Sequence, residues 1–238
     1  MSHRENRAIT RIMHDINMYN SHKNTYPGIL LEINEKNMYK IEAVIIGPKD
    51  TPYEGAFLYF EVEFSQEYPI KSPTMKHLTT VGCTHVRLHP NLYGNGKVCL
   101  SILGTWQGEP WSPSMNLMTI LVTIQSLLCK DSLKCEPGRE NATQKELEMY
   151  DRAVEYECWN VGILRILEGG MVGMSSEMYK QVCKYFMENA HMYIKRLELK
   201  EKKEKGEILH HLYGKTIEYY APCLPRIQLL VQKLTETL

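Results

Sequence analysis

The stretch of residues 89–103 in the middle of the chain reads HPNLYGNGKVCLSIL, and it is the most informative stretch of the sequence. Asn95 and Gly96 form a turn signal that places Cys99 just after a tight reversal of the chain. Val98 and Leu100 are expected to pack inward and to leave the sulfur of Cys99 exposed on a rigid base. The stretch lies within residues 82–112, where regular periodicity disappears. A long irregular segment inside a compact domain is often functional, so the site is expected there.

Regular elements flank this irregular segment on both sides. Before it, an amphipathic helix is predicted over residues 4–19, followed by strands at 29–33, 39–46, 57–64 and 75–78. Their short connections favour an antiparallel meander. After it, an apolar helix over 116–128 is expected to be buried, and further helices are predicted over 144–159 and 175–200. The predicted fold is α+β, a four-stranded antiparallel sheet backed by the central helix, with the first helix at one side and the later helices at the other.

The composition excludes several classes of protein. The chain has 238 residues, of which 43% are apolar and 24% charged, and 28 basic residues balance 28 acidic ones. Zero net charge argues against a dedicated nucleic-acid or membrane-surface binder. A charged N-terminus gives no support for secretion, and no stretch is apolar enough for a membrane span, so a cytoplasmic or nuclear address is expected. In such a reducing compartment the seven cysteines should be thiols.

The pairing of Asn91 with Cys99 suggests acyl chemistry. An amide eight residues before the thiol, on an ordered loop, could donate a hydrogen bond to the oxyanion of an acyl group carried by the sulfur. Without this context, an isolated cysteine is more often a small core residue than a nucleophile. That interpretation is kept for Cys129, Cys158 and Cys183.

At this point the sequence resembles the ubiquitin-conjugating enzymes. The family hallmark, His-Pro-Asn followed eight residues later by the acceptor cysteine, is intact. Further matches lie in residues 47–55 (GPKDTPYEG), 68–73 (YPIKSP) and 111–113 (WSP). The resemblance covers roughly residues 4–165. It implies a conjugating (UBC) core domain over residues 1–165 and a C-terminal helical extension over 166–238.

The resemblance also implies roles for individual residues. Cys99 would accept the C-terminal glycine of ubiquitin, or of a ubiquitin-like protein, as a thioester. Asn91 would stabilise the oxyanion when a substrate lysine attacks. Three groups of residues are implied around them: His89 and Pro90 as support for the motif, Ile70, Pro113 and Ser114 as ligase contacts, and Arg4, Arg7 and Arg11 as contacts for the activating enzyme. No metal and no cofactor are expected, since ATP is used by the upstream activating enzyme.

The catalytic base and two alternative functions stay open at this stage. Many family members carry an aspartate beyond the central helix that helps to orient the incoming lysine, and the corresponding region here offers only Glu136, which is not assigned as a base. A non-catalytic ubiquitin-binding scaffold of the same fold is the main alternative, and a thiol hydrolase would require a paired histidine. A zinc set of Cys83, His85, His89 and Cys99 is disfavoured, because its spacing matches no common ligand pattern.

The end of the chain carries an apolar stripe. Leu224, Ile227, Leu230 and Leu234 recur at helical spacing, and so short a helix is marginal in water by itself. We expect the stripe to dock on the preceding helix around residues 185–197 rather than on a partner. Selectivity among activating enzymes is its expected use.

Overall fold

Four antiparallel strands form the sheet on which the molecule is built. They are β1 (Ile29–Ile33), β2 (Lys40–Ile46), β3 (Phe57–Glu63) and β4 (Thr74–His77), hydrogen-bonded in the order β1-β2-β3-β4. The computed structural model describes residues 3–34, 36–83, 86–169, 171–204, 209–210, 216–217 and 223–237, and only the backbone of residues 3–6, 203–204, 209–210, 216–217 and 237. The predicted meander and the α+β fold class are confirmed, with β4 one residue earlier than expected.

Six α-helices accompany this sheet in the described residues. They are α1 (His3–Ser21), α2 (Leu117–Leu127), α3 (Gln144–Glu157), α4 (Arg165–Leu167), α5 (Ser176–Glu204) and α6 (Cys223–Thr237). A π-helical segment, Cys158–Leu164, joins α3 to α4, so the chain stays helical beyond the end predicted at residue 159. Two short strands, β5 (Leu209–His210) and β6 (Thr216–Ile217), pair with each other. None of the described helices combines the length and the apolar content that a membrane span needs.

Side-chain caps explain where two of these helices begin. Asn116 accepts a hydrogen bond from the backbone of Thr119, and the hydroxyl of Thr119 accepts one from the backbone of Asn116. Thr143 and Glu146 form the same reciprocal pair before α3. Each pair satisfies backbone N–H groups that have no partner within the helix.

The sheet is covered on both faces. Phe57, Leu58, Tyr59 and Phe60 follow one another on β3 and are all buried, although successive side chains of a strand point to opposite faces. Helix α2 packs on β2, α5 packs on β1, and Cys158–Leu164 packs on β3. The start of α5 covers the face that carries the paired residues Glu32 and Glu42: Gln181 donates to the carboxylate of Glu32, and the N–H of Ser175 donates to that of Glu42.

The C-terminal helix docks on the molecule, as the apolar stripe predicted. Ile227, Leu230 and Leu234 are buried, and α6 packs against α5 and against Cys158–Leu164. Arg226 adds an ion pair of 2.6 Å with Glu168. Residues on both sides of position 165 belong to one apolar core, and the division into domains at 165 stays a prediction. Gly170, close to the predicted boundary, lies outside the described residues.

Candidate active site

The His-Pro-Asn turn is built around a buried imidazole. His89 has no exposed surface, and its Nδ1 accepts a hydrogen bond of 3.0 Å from the backbone N–H of Asn91. Burial lowers the pKa of His89 to about 4, with the Leu127 carbonyl acting to raise it and the charge of Arg87 to lower it. The ring is therefore neutral near pH 7. His89 supports the turn, and the structural interpretation is favoured over a Cys-His catalytic pair.

A tight turn then brings Cys99 back beside Asn91. The N–H of Tyr93 donates to the Lys97 carbonyl at 2.9 Å, and the N–H of Gly96 donates to the Tyr93 carbonyl at 2.9 Å. Gly96 has a φ of +92°, a conformation that residues with a Cβ rarely adopt. The turn signal in the sequence is thus confirmed as the device that returns the chain.

Asn91 and Cys99 bind each other through two hydrogen bonds. The backbone N–H of Cys99 donates to the Asn91 carbonyl at 2.9 Å, and the side-chain amide of Asn91 donates to the Cys99 carbonyl at 2.8 Å. A carboxamide has two N–H donors, so the second N–H of Asn91 is not committed by this bond. The pair predicted from the spacing is therefore assembled, with the amide of Asn91 bound to the backbone of Cys99.

Thr105 holds the other side of the cysteine, and the sequence carried no signal for it. Its hydroxyl donates to the Val98 carbonyl at 2.7 Å and accepts from the Leu100 N–H at 2.9 Å. Both neighbours of Cys99 are thereby fixed to one side chain. A hydroxyl can bridge the backbone in this way because its single oxygen both donates and accepts.

The expected exposure of the Cys99 sulfur is wrong. Cys99 is 1% exposed, because its segment is tied to Asn91 on one side and to Thr105 on the other, with Val98 and Leu100 buried beside it. The backbone on both sides of Cys99 is held by these hydrogen bonds, and the residue itself is almost fully covered.

The remaining cysteines are free thiols as well. Cys158 and Cys183 lie in the core as expected, whereas Cys129 is exposed, contrary to expectation, because it follows the end of the buried helix α2. Burial raises the pKa of Cys129 and Cys135, and it raises that of Cys223 to about 11, which keeps these sulfurs protonated near pH 7. Among the described residues no group of three or more His, Cys, Asp and Glu side chains is placed to hold a metal; His85 of the rejected zinc set lies outside them.

The residues implied as ligase contacts lie on two loops that are tied together. Ile70 is 75% exposed, and Pro113 and Ser114 are exposed too. The indole N–H of Trp111 donates to the Pro69 carbonyl at 2.7 Å and joins the two loops. The structure therefore presents the three residues on neighbouring, mutually anchored loops.

The three arginines of α1 differ in their surroundings. The side chain of Arg4 lies outside the described part of the structure, and Arg7 is exposed. Arg11 instead pairs with the buried Asp15 at 2.8 Å and donates to the Pro113 and Met115 carbonyls. Arg11 therefore has a structural role in anchoring the 113–115 segment, while its contact with an activating enzyme stays a prediction.

Glu136, left open by the sequence, has a partner. Its carboxylate pairs with Arg87 at 2.9 Å, and the guanidinium of Arg87 lies 4.1 Å from the centre of the Tyr93 ring. Sequence reasoning did not single out Arg87. It is separated from Glu136 by 49 positions, and no local pattern links them.

Comparison with known proteins identifies the family of this chain. The family model described as ubiquitin-conjugating enzyme matches residues 11–158, which include the whole sheet, the His-Pro-Asn turn and Cys99. The chain belongs to the ubiquitin-conjugating enzyme family.

Within the family the chain is similar to the E2 Z proteins. It is 41% identical over 165 residues to "Ubiquitin-conjugating enzyme E2 Z" of Xenopus tropicalis, a match that covers 69% of this chain and 52% of that protein. The protein of the same name from Homo sapiens is 40% identical over 163 residues, covering 68% and 45%. "Dual E2 ubiquitin-conjugating enzyme/E3 ubiquitin-protein ligase BIRC6" of Mus musculus is 33% identical over 216 residues, which are 84% of this chain and 4% of that protein. The chain spans about half the length of the E2 Z relatives it matches.

Proposed function

We propose that this chain is a ubiquitin-conjugating transferase that acts through a thioester on Cys99. It accepts ubiquitin or a ubiquitin-like protein from an activating enzyme and passes it to a substrate lysine, with or via a ligase. The observation that carries the proposal is the mutual hydrogen bonding of Asn91 and Cys99, which ties an amide donor to the backbone of the cysteine. Membership of the family supports it.

The first step is an exchange of thioesters. The Cys99 sulfur, as thiolate, attacks the carbonyl carbon of the modifier's terminal glycine, and the thiolate of the activating enzyme leaves. In the second step a lysine amine attacks the same carbon, the carbon–sulfur bond breaks and an amide bond forms. The amine proton is lost to solvent or to the departing Cys99 sulfur.

The demands on the protein in the second step are modest. A thioester is already an activated acyl donor, so the enzyme must chiefly position the lysine and stabilise the oxyanion. The uncommitted N–H of Asn91 is the donor for that oxyanion. His89, neutral and bound to the turn, supplies geometry rather than a proton.

The partners follow from the surfaces already described. Helix α1, with Arg4, Arg7 and Arg11, is proposed to meet the activating enzyme, and Ile70, Pro113 and Ser114 to meet the ligase. The chain itself is proposed to use no cofactor or metal, and ATP is consumed by the activating enzyme. A cytoplasmic or nuclear location belongs to the same proposal.

A charging assay tests the proposal. The protein is mixed with activating enzyme, ATP and ubiquitin, and the expected product is an adduct that a thiol reductant cleaves. Cys99→Ser should give an adduct that resists the reductant, because an oxyester replaces the thioester. Cys99→Ala should give none, while the matched control Cys129→Ser, which changes an exposed thiol away from the turn, should charge normally.

Two alternatives predict other results in this assay. A non-catalytic scaffold would bind ubiquitin and form no adduct, and the presence of both Cys99 and Asn91 argues against it. A thiol hydrolase would cleave the thioester without a lysine acceptor, and the engagement of His89 with the backbone of Asn91 argues against that. Normal charging of Cys99→Ala would overturn the proposal.

A further inference from the structure

Arg87 is held by three groups of different chemistry beside the His-Pro-Asn turn. Its Nη2 lies 2.9 Å from one carboxylate oxygen of Glu136, and its Nη1 donates to the other oxygen at 3.3 Å. Nη2 also donates to the Pro90 carbonyl. The guanidinium carbon lies 4.1 Å from the centre of the Tyr93 ring. The side chains of Arg87 and Glu136 are only 15% and 28% exposed, so water screens the pair incompletely.

The three groups around Arg87 make a cation site. A carboxylate, a carbonyl oxygen and the face of a phenol ring are the groups that bind an alkylammonium ion as well as a guanidinium. The site adjoins the proposed nucleophile, because Pro90 precedes Asn91, which is bound to Cys99, and Tyr93 opens the turn that returns the chain to Cys99. In this structure the cation in the site is the guanidinium of Arg87.

We propose that Arg87 determines which acceptor attacks the Cys99 thioester, by occupying the Glu136 carboxylate that would otherwise receive the ammonium group of an acceptor lysine. The inference rests on the proposed function and names its acceptor specificity. A lysine side chain is charged near pH 7, so it meets a carboxylate already neutralised by a guanidinium that keeps its charge. A thiol acceptor, such as a ligase cysteine, brings no positive charge to the site and loses nothing by this arrangement.

Two other charged side chains of the described residues bear on this cation site. The ammonium group of Lys97 lies 5.8 Å from the centre of the Tyr93 ring and adds positive charge. Asp131, on the same connection as Glu136, forms an ion pair with Lys134 at 3.3 Å. An approaching amine gains the Glu136 carboxylate as a partner only when the pair of Arg87 and Glu136 opens.

The chemistry of both acceptors is the same apart from charge. A lysine amine or a thiolate attacks the thioester carbon, the bond to the Cys99 sulfur breaks, and an amide or a new thioester forms. The proton of the amine or of the thiol is released to solvent or taken up by the departing sulfur. No oxidant or further reactant takes part.

Single-turnover discharge of the charged protein tests the inference. The thioester is formed, charging is stopped, and its decay is followed with free L-lysine or with N-acetylcysteine amide, a thiol that carries no other charged group, as acceptor. Arg87→Met removes the charge and keeps an apolar contact with the ring of Tyr93. We expect discharge to lysine to rise on the order of tenfold, the effect of freeing one charge-assisted contact, while discharge to the thiol stays within about twofold.

Two control variants separate this specificity from general damage to the loop. Arg87→Lys keeps a cation at Glu136 and should keep the slow rate with lysine. The double variant of Arg87→Met with Glu136→Gln should lose the gain, because no carboxylate is left for the acceptor. If Arg87→Met does not charge, Arg87→Gln, which retains a donor for the Pro90 carbonyl, repeats the test.

Each of the following results overturns either this inference or the proposed function. An unchanged ratio of the lysine rate to the thiol rate in Arg87→Met overturns the inference, and so does a gain that survives Glu136→Gln. Failure of both Arg87→Met and Arg87→Gln to charge also overturns it, because the inference places Arg87 outside the charging step. Failure of the unaltered protein to charge would instead refute the proposed function.

Discussion

Asn91 has a structural role and a proposed catalytic role, and one substitution can separate the two. Its amide holds the Cys99 carbonyl, and its second N–H is the proposed donor to the oxyanion. Losing an oxyanion donor costs about 100-fold to 1,000-fold in rate, whereas losing one hydrogen bond between neutral groups costs only about 1 kcal/mol of stability. The kinetic effect should therefore dominate.

Asn91→Ala should charge at close to the normal rate and discharge to lysine about 100-fold or more slowly in single-turnover assays. Asn95→Ala is the matched control, because Asn95 only accepts a turn hydrogen bond from the Lys97 N–H at 3.1 Å. The control should discharge normally. Equal slowing of charging and discharge, or loss of the folded state, would assign Asn91 a purely structural role.

The buried histidines should make the protein sensitive to mild acid. Burial lowers the pKa of His77 to about 3 and that of His89 to about 4 from the ordinary 6.5. As the pH falls below 6.5, the unfolded chain takes up protons that the folded chain refuses, so stability is lost progressively towards pH 4 and 3. At pH 5.5 each imidazole should cost about 1 kcal/mol relative to pH 7.5. Asp151, whose pKa burial raises to about 6, opposes this in part.

Chemical denaturation at pH 7.5 and pH 5.5 measures the loss. His77→Phe should remove about half of the histidine contribution to it, because Phe suits the apolar contact that His77 makes with Phe60 at 5.1 Å between ring centres. His22→Gln, a change at an exposed position, should leave the loss intact. Stability that does not change between these two pH values would contradict the argument.

At the scale of the element, α6 depends on its tertiary contacts. A helix of 15 residues is marginal in water, and its buried stripe stabilises it through α5 and Cys158–Leu164. Ile227→Ala should lower the free energy of unfolding by about 2–4 kcal/mol, because Ile227 is 0% exposed. Leu229→Ala, on the same helix but 49% exposed, should change it by less than about 0.5 kcal/mol. Equal effects in urea denaturation would mean that α6 is not docked as described.

Helix α1 offers a second contrast, between Arg7 and Arg11. Arg11→Ala removes the ion pair to the buried Asp15 and the bonds to residues 113 and 115, and it should cost about 1–3 kcal/mol and weaken ligase binding. Arg7→Ala should leave stability within about 0.5 kcal/mol and slow only charging by the activating enzyme. Denaturation, charging and ligase-binding assays on both variants distinguish the structural role of Arg11 from the surface role of Arg7. A stable Arg11→Ala protein with slow charging would instead make Arg11 a plain surface contact.

At the scale of the whole molecule, the helical segments after the central helix complete the packing of the sheet. A Cβ placed on Gly162 would lie 3.0 Å from the Cβ of Ala56, so the π-helical segment approaches the sheet as closely as glycine allows. Gly162→Val should cost about 1–3 kcal/mol by overpacking. Adding Ala56→Gly should restore part of the loss in a double-mutant cycle measured by denaturation. Strictly additive effects would show that the two residues do not share this contact.

The sequence by itself determined the elements and the motif. The strands, the buried central helix, the return of the chain at residues 95–96 and the pairing of Asn91 with Cys99 all depend on residues close together in the chain, where periodicity and spacing carry the information. The fold class followed from the short connections between strands. The docking of the C-terminal stripe followed from its period and from its need for a partner surface.

The tertiary structure alone decided the burial of Cys99 and the ion pair of Arg87 with Glu136. It also decided that α5 covers the sheet face that carries Glu32 and Glu42. The partners lie 49 positions apart in the ion pair and 133 positions apart in the contact of Ser175 with Glu42. A sequence with 28 basic and 28 acidic residues allows many such pairs. Which charges meet, and which sulfur is covered, depends on how the elements pack in three dimensions, and no local pattern records it.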